Sequence, residues 1–576
     1  MSGQCTDTVV DWIARPDRIE LTERTCIGEA DDMKICKTSF PLVATALVLI
    51  AVALAQATPS WAANNEAVGA EIRAIVEGGQ VTIGTDDEDE RLIQVFVYYE
   101  GRSFKPIWVR DNGPKSKGKR LLAYLQNAEE HGLVASDYRV KEISEMIAKT
   151  DPRTLAELDL LMSRAMIDFG RDIKAGRIEP SKFNRELNIY PRSLGATTLL
   201  DGAEAADDIE PYLNGLAPQS PRYQRLKTKL AEYRAIDMKG GWIEIPKGAV
   251  LKPGMEDARV SVLRDRLIQM GDMETGAHSG QVYDGAVVEG VKRFQYRHGI
   301  DQDGVIGPAT LAQFNVPIDT QIELMELNLE RRRWMPAHFG DYYVFVNLAD
   351  QFLKVVRHPK TIHTANVVVG KPYHRTPVFS ETMKYIVVNP YWNVPRSIAV
   401  NEYLPKLRRN PGALAAQNIR VLASGSEVSP YSVDWASYSK RSFPFRLRQD
   451  PGKRNALGKV KFMFPNKHNV YIHDTPSKSL FSRSSRAFSH GCVRVQDPQA
   501  LAEVLLSEQG WSKKKVGGVF ATSRKRVVKL KKEIPVHITY LTSWVNKDMS
   551  VHFRKDIYNR DELLAEALAR SRLQLH

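Results

Sequence analysis

Two neighbouring stretches decide the reading of this chain: Val470-Tyr471-Ile472-His473-Asp474-Thr475-Pro476, and Phe488-Ser489-His490-Gly491-Cys492-Val493-Arg494-Val495. Their β-branched and aromatic residues read as strand, so His473 ends one strand-like run and Cys492 follows a glycine-containing turn before the next. Two strand ends facing each other would bring these side chains together without sequence adjacency. A cysteine nucleophile works as the thiolate, and with an ordinary pKa near ~8.5 it needs a base or a cation beside it. Histidine supplies this, taking the thiol proton and later returning it to a leaving amine. Gly491 permits close backbone approach, and the N–H groups of Gly491 and Cys492 are candidates for cradling an oxyanion. The imidazole also needs an orienting acceptor, and both Asp474 and a local backbone carbonyl are at hand. On these residues alone an inert cysteine weighs as much as a catalytic one. A zinc site from His473, His490 and Cys492 fits less well, because the spacing matches no familiar zinc pattern and no second thiol accompanies them.

Working outward, β patterns dominate from Tyr342 onward, with strands expected at 343–348, 352–356 and 365–369, then at 384–388, 460–464 and 469–473. Between Pro395 and Gly452 the sequence turns irregular and rich in Ser, Arg and Pro. That predicts an insertion bordering the site, of the kind that forms lids. Upstream, Val260, Leu263 and Leu267 make a short amphipathic helix ended by Gly271. Tyr283-Asp284 opens a second, with Val287, Val291 and Phe294 on one face and Gly299 at its end. After the turn Asp303-Gly304-Val305-Ile306-Gly307-Pro308, Thr310, Leu311 and Phe314 begin a third. Earlier still, Leu121, Leu122, Leu125 and Ala128 share a helical face, as do Leu158, Leu161, Met162, Ala165 and Phe169. Those stripes read as core. An acidic link, 86–90, leads into an aromatic-rich segment, 96–108, broken by Gly101 and Pro106.

Residues 40–55 form an apolar run interrupted only by Thr45, short for a membrane span and suited to a signal-peptide core. Lys34 and Lys37 precede it, and Ser60 and Ala62 satisfy a small-x-small cleavage pattern after Ala62. The polar, acidic stretch before Met33 does not resemble a signal n-region, so Met33 is the expected true start, with an uncleaved membrane anchor as the alternative. Cys5, Cys26 and Cys36 all precede the apolar run, so the mature chain would keep only Cys492.

With 576 residues, several domains are expected. Hydrophobic residues at 43% and charged residues at 26% exclude a disordered chain or a multi-span membrane protein. The net charge of +13 is densest in Lys513-Lys514-Lys515, Arg524-Lys525-Arg526 and 529–532, which reads first as a solvated basic face. Export argues against nucleic acid as partner and favours an anionic envelope polymer.

Two resemblances sharpen this. Leu263, Leu267, Gly271, Tyr283-Asp284, Val291-Lys292-Arg293-Phe294-Gln295, His298-Gly299, Asp303-Gly304, Ile306-Gly307 and Thr310 resemble the peptidoglycan-binding domain of many wall hydrolases. His473, fifteen residues, then Ser489-His490-Gly491-Cys492 resembles the signature of L,D-transpeptidases of the YkuD-type fold. The likeness extends to Gly370-Lys371 with Thr376-Pro377, Tyr391-Trp392-Asn393-Val394-Pro395, Pro451-Gly452 with Asn455-Ala456-Leu457-Gly458, and Pro535-Val536-His537-Ile538-Thr539-Tyr540. This pattern is similar to the large, multidomain YcbB-type branch.

The resemblance implies a multidomain α+β chain with a helical scaffold, a small three-helix wall-binding domain and a β-rich catalytic domain with a capping insertion. Its expected limits are a leader at 1–63, scaffold at 64–250, wall-binding domain at 251–317 and linker helix at 318–340. The catalytic domain then spans 341–545, with its insertion at about 396–450, and a helical tail spans 546–576. It implies Cys492 as acylated nucleophile and His473 as base, with Gly491, Ser489, His490 and Arg494 shaping the site or its oxyanion pocket. Tyr471, Trp392 and Asp474 are expected at the substrate groove, and no cofactor or metal is implied. The implied reaction is 3→3 cross-linking of peptidoglycan stem peptides through a thioester with release of D-Ala, in the periplasm or cell envelope, with carbapenem-type β-lactams acylating the same cysteine. Glycan and other wall-synthesis proteins are expected partners. Hydrolysis by the same cysteine, as a carboxypeptidase or endopeptidase, is the nearest alternative. A wall-binding protein without activity is the next.

Overall fold

The computed structural model describes residues 65–78, 86–276 and 280–573. The expected leader, with its apolar run, Met33 and the three early cysteines, lies outside them. No helix of the described residues is long and apolar enough to cross a membrane. The chain is multidomain α+β, with a helical part, a small helical unit and a β-rich part.

The helical part is organised by Pro152–Ala175. Asp151 caps it, accepting from the Thr154 N–H at 2.9 Å, and Pro152 fits the first turn, where no amide bond is lost. Polar residues on this helix are buried with the apolar ones. Asp159 accepts from the backbone N–H groups of Ile107 and Trp108 (2.8 and 2.7 Å) and from the Tyr99 hydroxyl (2.6 Å). Trp108 Nε1 donates to Ser163 Oγ at 2.9 Å. One carboxylate thus fastens the aromatic segment that the sequence shows between Gly101 and the hairpin of β1 (Val109–Arg110) and β2 (Gly113–Pro114). The acidic stretch expected as a link lies instead in the helix Asp86–Gly101, whose apolar later turns bury Leu92, Val95, Tyr98 and Tyr99.

In the small unit, helices Arg259–Gln269, Gly285–His298 and Pro308–Phe314 bury Leu263, Leu267, Val287, Val291, Phe294 and Phe314. Gln295 explains its own recurrence with the turn: its Nε2 donates to Asp303 Oδ1 (2.7 Å) and its Oε1 accepts from the Gly304 N–H (2.9 Å). The helix Ile318–Arg333, expected as a linker, is packed on both sides. Met325 and Leu329 join the helical core, where Glu330 accepts from the Arg177 N–H at 2.7 Å, while Leu327 joins the core of the β-rich part.

The β-rich part is a sheet closed on itself. Its strands are β4 (Tyr342–Asn347), β5 (Phe352–Arg357), β6 (Lys360–Gly370), β7 (Val378–Val388), β12 (Val460–Met463), β13 (Ile472–His473), β15 (Val493–Val495) and β16 (Arg526–Thr539). The order β12-β13-β15-β6-β5-β4-β16-β7 returns to β12 through the β12–β7 pairing, leaving few open edges. Two short strands add to it in parallel: β3 (Leu187–Asn188), from the helical part, beside β7, and β14 (Ala487–Ser489) beside β6. Alternate residues such as Val344, Val346, Leu353, Val367, Ile386 and Val536 fill the interior.

The stretch read as irregular is folded. Strands β8 (Trp392–Asn393), β9 (Ile419–Ala423), β10 (Ser426–Val428) and β11 (Arg446–Gln449) make a separate four-stranded sheet. Its own core holds Tyr403, Leu407, Leu414, Trp435, Phe443 and Leu447. Aromatic residues scattered without period through the sequence converge there, which no local pattern revealed. The expected tail carries more than a helix. β18 (Val551–Phe553) pairs back onto β17 (Ser543–Val545), ahead of the helix Arg560–Leu573.

Candidate active site

β13 and β15 run parallel as direct neighbours, with His473 opposite Arg494, so the two stretches that open the sequence reading lie side by side. The Val493 N–H donates to the Tyr471 carbonyl at 3.1 Å, pinning the start of β15 to the entry of β13. Cys492 directly precedes this bond. It is half-buried, and its Sγ lies 3.8 Å from the Asn469 carbonyl oxygen. Protein crowded around the thiol pushes its pKa up, while hydrogen bonds from Tyr471 and the charges of Arg494 and Lys461 pull the other way.

His473 is buried, and its Nδ1 lies 2.5 Å from the Asp474 carbonyl oxygen. A carbonyl only accepts, so Nδ1 carries the proton and Nε2 is left as the base. Burial holds the imidazole down to about 3, and the cations Arg494 and Lys461 push the same way. The resting pair is therefore a neutral thiol and a neutral imidazole. Of the two orienting acceptors open in the sequence, the backbone carbonyl of Asp474 takes the role. The Asp474 carboxylate is occupied elsewhere. It accepts from the Lys459 and Thr475 N–H groups (2.8 and 2.6 Å) and from Lys478 Nζ. It fastens the loop behind His473 and has little left for a substrate. Gly458 serves this contact, since a Cβ there would collide with the Asp474 carboxylate, and its φ of +57° suits glycine.

The turn Ser489-His490-Gly491-Cys492 is held from within and from beneath. Ser489, 2% exposed, donates from Oγ to the Cys492 carbonyl (2.5 Å) and accepts from the Gly491 N–H (3.0 Å). Gly491 sits at φ +111°, a conformation side chains rarely adopt. Its N–H, expected at the oxyanion, is spent on Ser489. Beneath the turn, Thr376 Oγ1 donates to the Gly491 carbonyl (2.8 Å) and accepts from the Gly370 N–H (3.0 Å). Tyr558, from the C-terminal region, donates to the Gly370 carbonyl at 2.7 Å. His490 pairs with the inserted subdomain. Its Nε2 lies 2.6 Å from Glu402 Oε1 in the inserted subdomain, and its ring lies 4.8 Å from that of His374.

Residues 341–528 match the L,D-transpeptidase catalytic domain family YkuD. The chain carries an L,D-transpeptidase catalytic domain. Residues 256–314 match the putative peptidoglycan binding domain family, and residues 94–230 match a scaffold domain family. A putative L,D-transpeptidase of Haemophilus influenzae is 36% identical over 239 residues, covering 41% of this chain and 48% of that protein. The match thus spans about half the length of that relative. Among solved structures, an L,D-transpeptidase from Xylanimonas cellulosilytica aligns at 15% identity over 51% of this chain and all of that one, with a TM-score of 0.17. One from Stackebrandtia nassauensis aligns at 13% identity over 52% of this chain and 96% of that one, with a TM-score of 0.19. Neither likeness carries an argument.

Within the transpeptidase domain, the sequence-derived residues divide. His473 and Arg494 lie on adjoining strands, Tyr471 and Cys492 immediately precede those strands, and Ser489 and Gly491 form the turn that presents Cys492. Trp392 does not stand free at a groove. It is 9% exposed within the inserted subdomain's core, its ring 6.3 Å from that of Tyr403. The sequence names Thr376 within the Gly370-Lys371 and Thr376-Pro377 likeness and gives no signal for Lys461, Glu402 and Tyr558, which arrive through strand pairing, the inserted subdomain and the return of the chain from its C-terminal region.

Proposed function

We propose that this chain is a peptidoglycan L,D-transpeptidase that joins stem peptides through 3→3 cross-links. The pairing of β13 with β15, which sets the base-bearing and thiol-bearing strand ends side by side, carries the reading. His473 Nε2 takes the Cys492 proton as sulfur attacks the carbonyl of the third stem residue. The Cys492 N–H, lying outside the Ser489 clamp, faces the oxyanion. The C–N bond breaks, His473 returns the proton to the amine of departing D-Ala, and a thioester remains. A side-chain amine of a second stem then attacks the thioester and loses its proton to His473. The cross-link forms and the thiol is restored.

The neutral resting pair suits this cycle, because an imidazole held far below the ambient pH yields its proton readily to the leaving amine. The inserted subdomain, tied to the turn by Glu402, limits water at the thioester and favours aminolysis over hydrolysis. The match over residues 256–314 supports peptidoglycan as the partner and the cell envelope as the place of action.

The test is mass spectrometry of products after incubating the protein, from residue 64 onward, with disaccharide-tetrapeptide, beside Cys492→Ala. Cys492-dependent dimers with loss of D-Ala support the reading. Trimmed monomers alone replace it with a carboxypeptidase, and no conversion overturns it.

A further inference from the structure

His473 stands between two cations. In the paired register of β12, β13 and β15 it lies opposite Lys461 on one side and Arg494 on the other. Directly opposed residues project to the same face of a sheet, with strands about 5 Å apart. Lys461, His473 and Arg494 therefore form a row, and the charges of Lys461 and Arg494 both act on the Cys492 thiol, which immediately precedes β15. Among the described residues no carboxylate pairs with Lys461 or Arg494, and Arg494 Nε is buried without a hydrogen-bond partner. Buried Arg297, Arg331 and Arg333 each pair with a carboxylate, of Asp272, Asp561 and Glu330, whereas Arg494 shares its lack of one with Arg266 and Arg332 and differs from them in standing beside the thiol. Lys461 holds its ammonium over the Tyr471 ring, 5.5 Å from the centroid. Lys525 adds a further positive charge beside Lys461. The Asp474 carboxylate, the nearest in sequence to His473, is tied down by Lys459, Thr475 and Lys478 and leaves this row uncompensated.

We infer that Lys461 and Arg494 form a carboxylate subsite for the α-carboxylate of the departing amino acid, an inference that rests on the acyl-transfer reading above. The spacing suits that group. An amine within hydrogen-bond reach of His473, about 3 Å, carries its α-carboxylate one carbon away, and the flanking cations stand one strand spacing, about 5 Å, to either side. The charge is then recognised at the bond being broken. A donor stem ending in a free carboxylate is bound by charge-assisted hydrogen bonds. A donor whose last residue continues as an amide, as in an existing cross-link, offers no charge there. The subsite thus selects free stem ends and disfavours cutting finished links.

The experiment compares two donor stems, one ending in the free carboxylate and one in the C-terminal amide, with wild type, Lys461→Met and Lys461→Arg. One lost charge-assisted contact corresponds to roughly tenfold or more in kcat/KM. Wild type is expected to prefer the acid donor by at least that factor. Lys461→Met is expected to lose most of the preference, and Lys461→Arg to regain it. Equal rates on the two donors with wild type, or an unchanged ratio in Lys461→Met, would overturn the inference. If wild type turns over neither donor, the transpeptidase reading itself fails, and alkylation of Cys492 decides the subsite. Anionic iodoacetate should then outpace neutral iodoacetamide, relative to free cysteine, by about fivefold in wild type and not in Lys461→Met. The same ratio in both proteins would leave no anion site. Iodoacetamide alone reports whether each variant keeps its thiol accessible and its fold intact.

Discussion

Thr376→Val tests the active-site turn from outside it. Thr376 is fully buried, and its hydroxyl bridges the Gly370 N–H at 3.0 Å and the Gly491 carbonyl at 2.8 Å. Valine keeps the branched shape and removes both bonds, leaving a buried donor and a buried acceptor unpaired. Each costs about 1–3 kcal/mol, so the pair costs about 2–6 kcal/mol. The inner clamp of Ser489 on Gly491 and Cys492 survives, so the turn shifts instead of unravelling. If about 2 kcal/mol of that appears as misplacement of Cys492 in the transition state, kcat/KM falls roughly 30-fold. The assay is kcat/KM on disaccharide-tetrapeptide, with the urea midpoint measured in parallel and Thr376→Ser as control. Serine keeps the hydroxyl and is expected to stay within about threefold of wild type. A valine variant with wild-type kcat/KM and an unchanged midpoint would refute the view that Thr376 supports the turn.

Four further outcomes are expected. Because burial pushes the Cys492 thiol up and holds His473 at about 3, iodoacetamide alkylation should climb through pH ~8.5 and above; a thiolate plateau near pH ~6–7 would show an ion pair instead. The unfolded state has His473 near ~6.5 and binds more protons below that value, so this residue's stabilisation is complete above pH ~6.5 and is lost as pH falls toward about 3. His473→Gln should therefore flatten the fall of the urea midpoint across that window, and equal slopes in the two proteins would contradict this. Glu402→Ala removes the 2.6 Å contact to His490 between partly exposed side chains, so stability should change by less than ~1 kcal/mol while amide exchange over 396–409 quickens; unaltered exchange would show that this contact does not tether the subdomain. Asp272→Asn breaks a buried pair with Arg297, which also donates to the Val551 carbonyl at 2.8 Å, and should cost about 3–5 kcal/mol; a loss below ~1 kcal/mol, measured by urea unfolding, would refute that the pair anchors the small helical unit.

What the sequence determined by itself is what short range controls. The stripe Leu158, Leu161, Met162, Ala165 and Phe169 marks a helix because its three-to-four spacing is a property of neighbouring residues, whatever lies around it. The alternation along β4 to β6 and the residues Gly491 and Gly458 were legible for the same reason: backbone geometry and side-chain period are properties of a few adjacent residues. So were His473 and Cys492 as the reactive pair, because the residue types name the chemistry before any fold does. The partners of these groups belonged to the tertiary structure alone. Lys461 reaches His473 only through the pairing of β12 with β13, and Tyr558 reaches Gly370 only after the chain returns from its C-terminal region. The choice of the Asp474 backbone carbonyl over its carboxylate was settled by Lys459, Thr475 and Lys478 claiming the carboxylate first. The folded state of 396–450 depended on Trp435, Phe443 and Leu447 meeting in one core, and the burial of Ile318–Arg333 on the helical core taking Met325 and Leu329 and the β-rich core taking Leu327. Register, closure of the sheet and competition for a buried acceptor are decided by groups distant in the chain, and no local pattern encodes them.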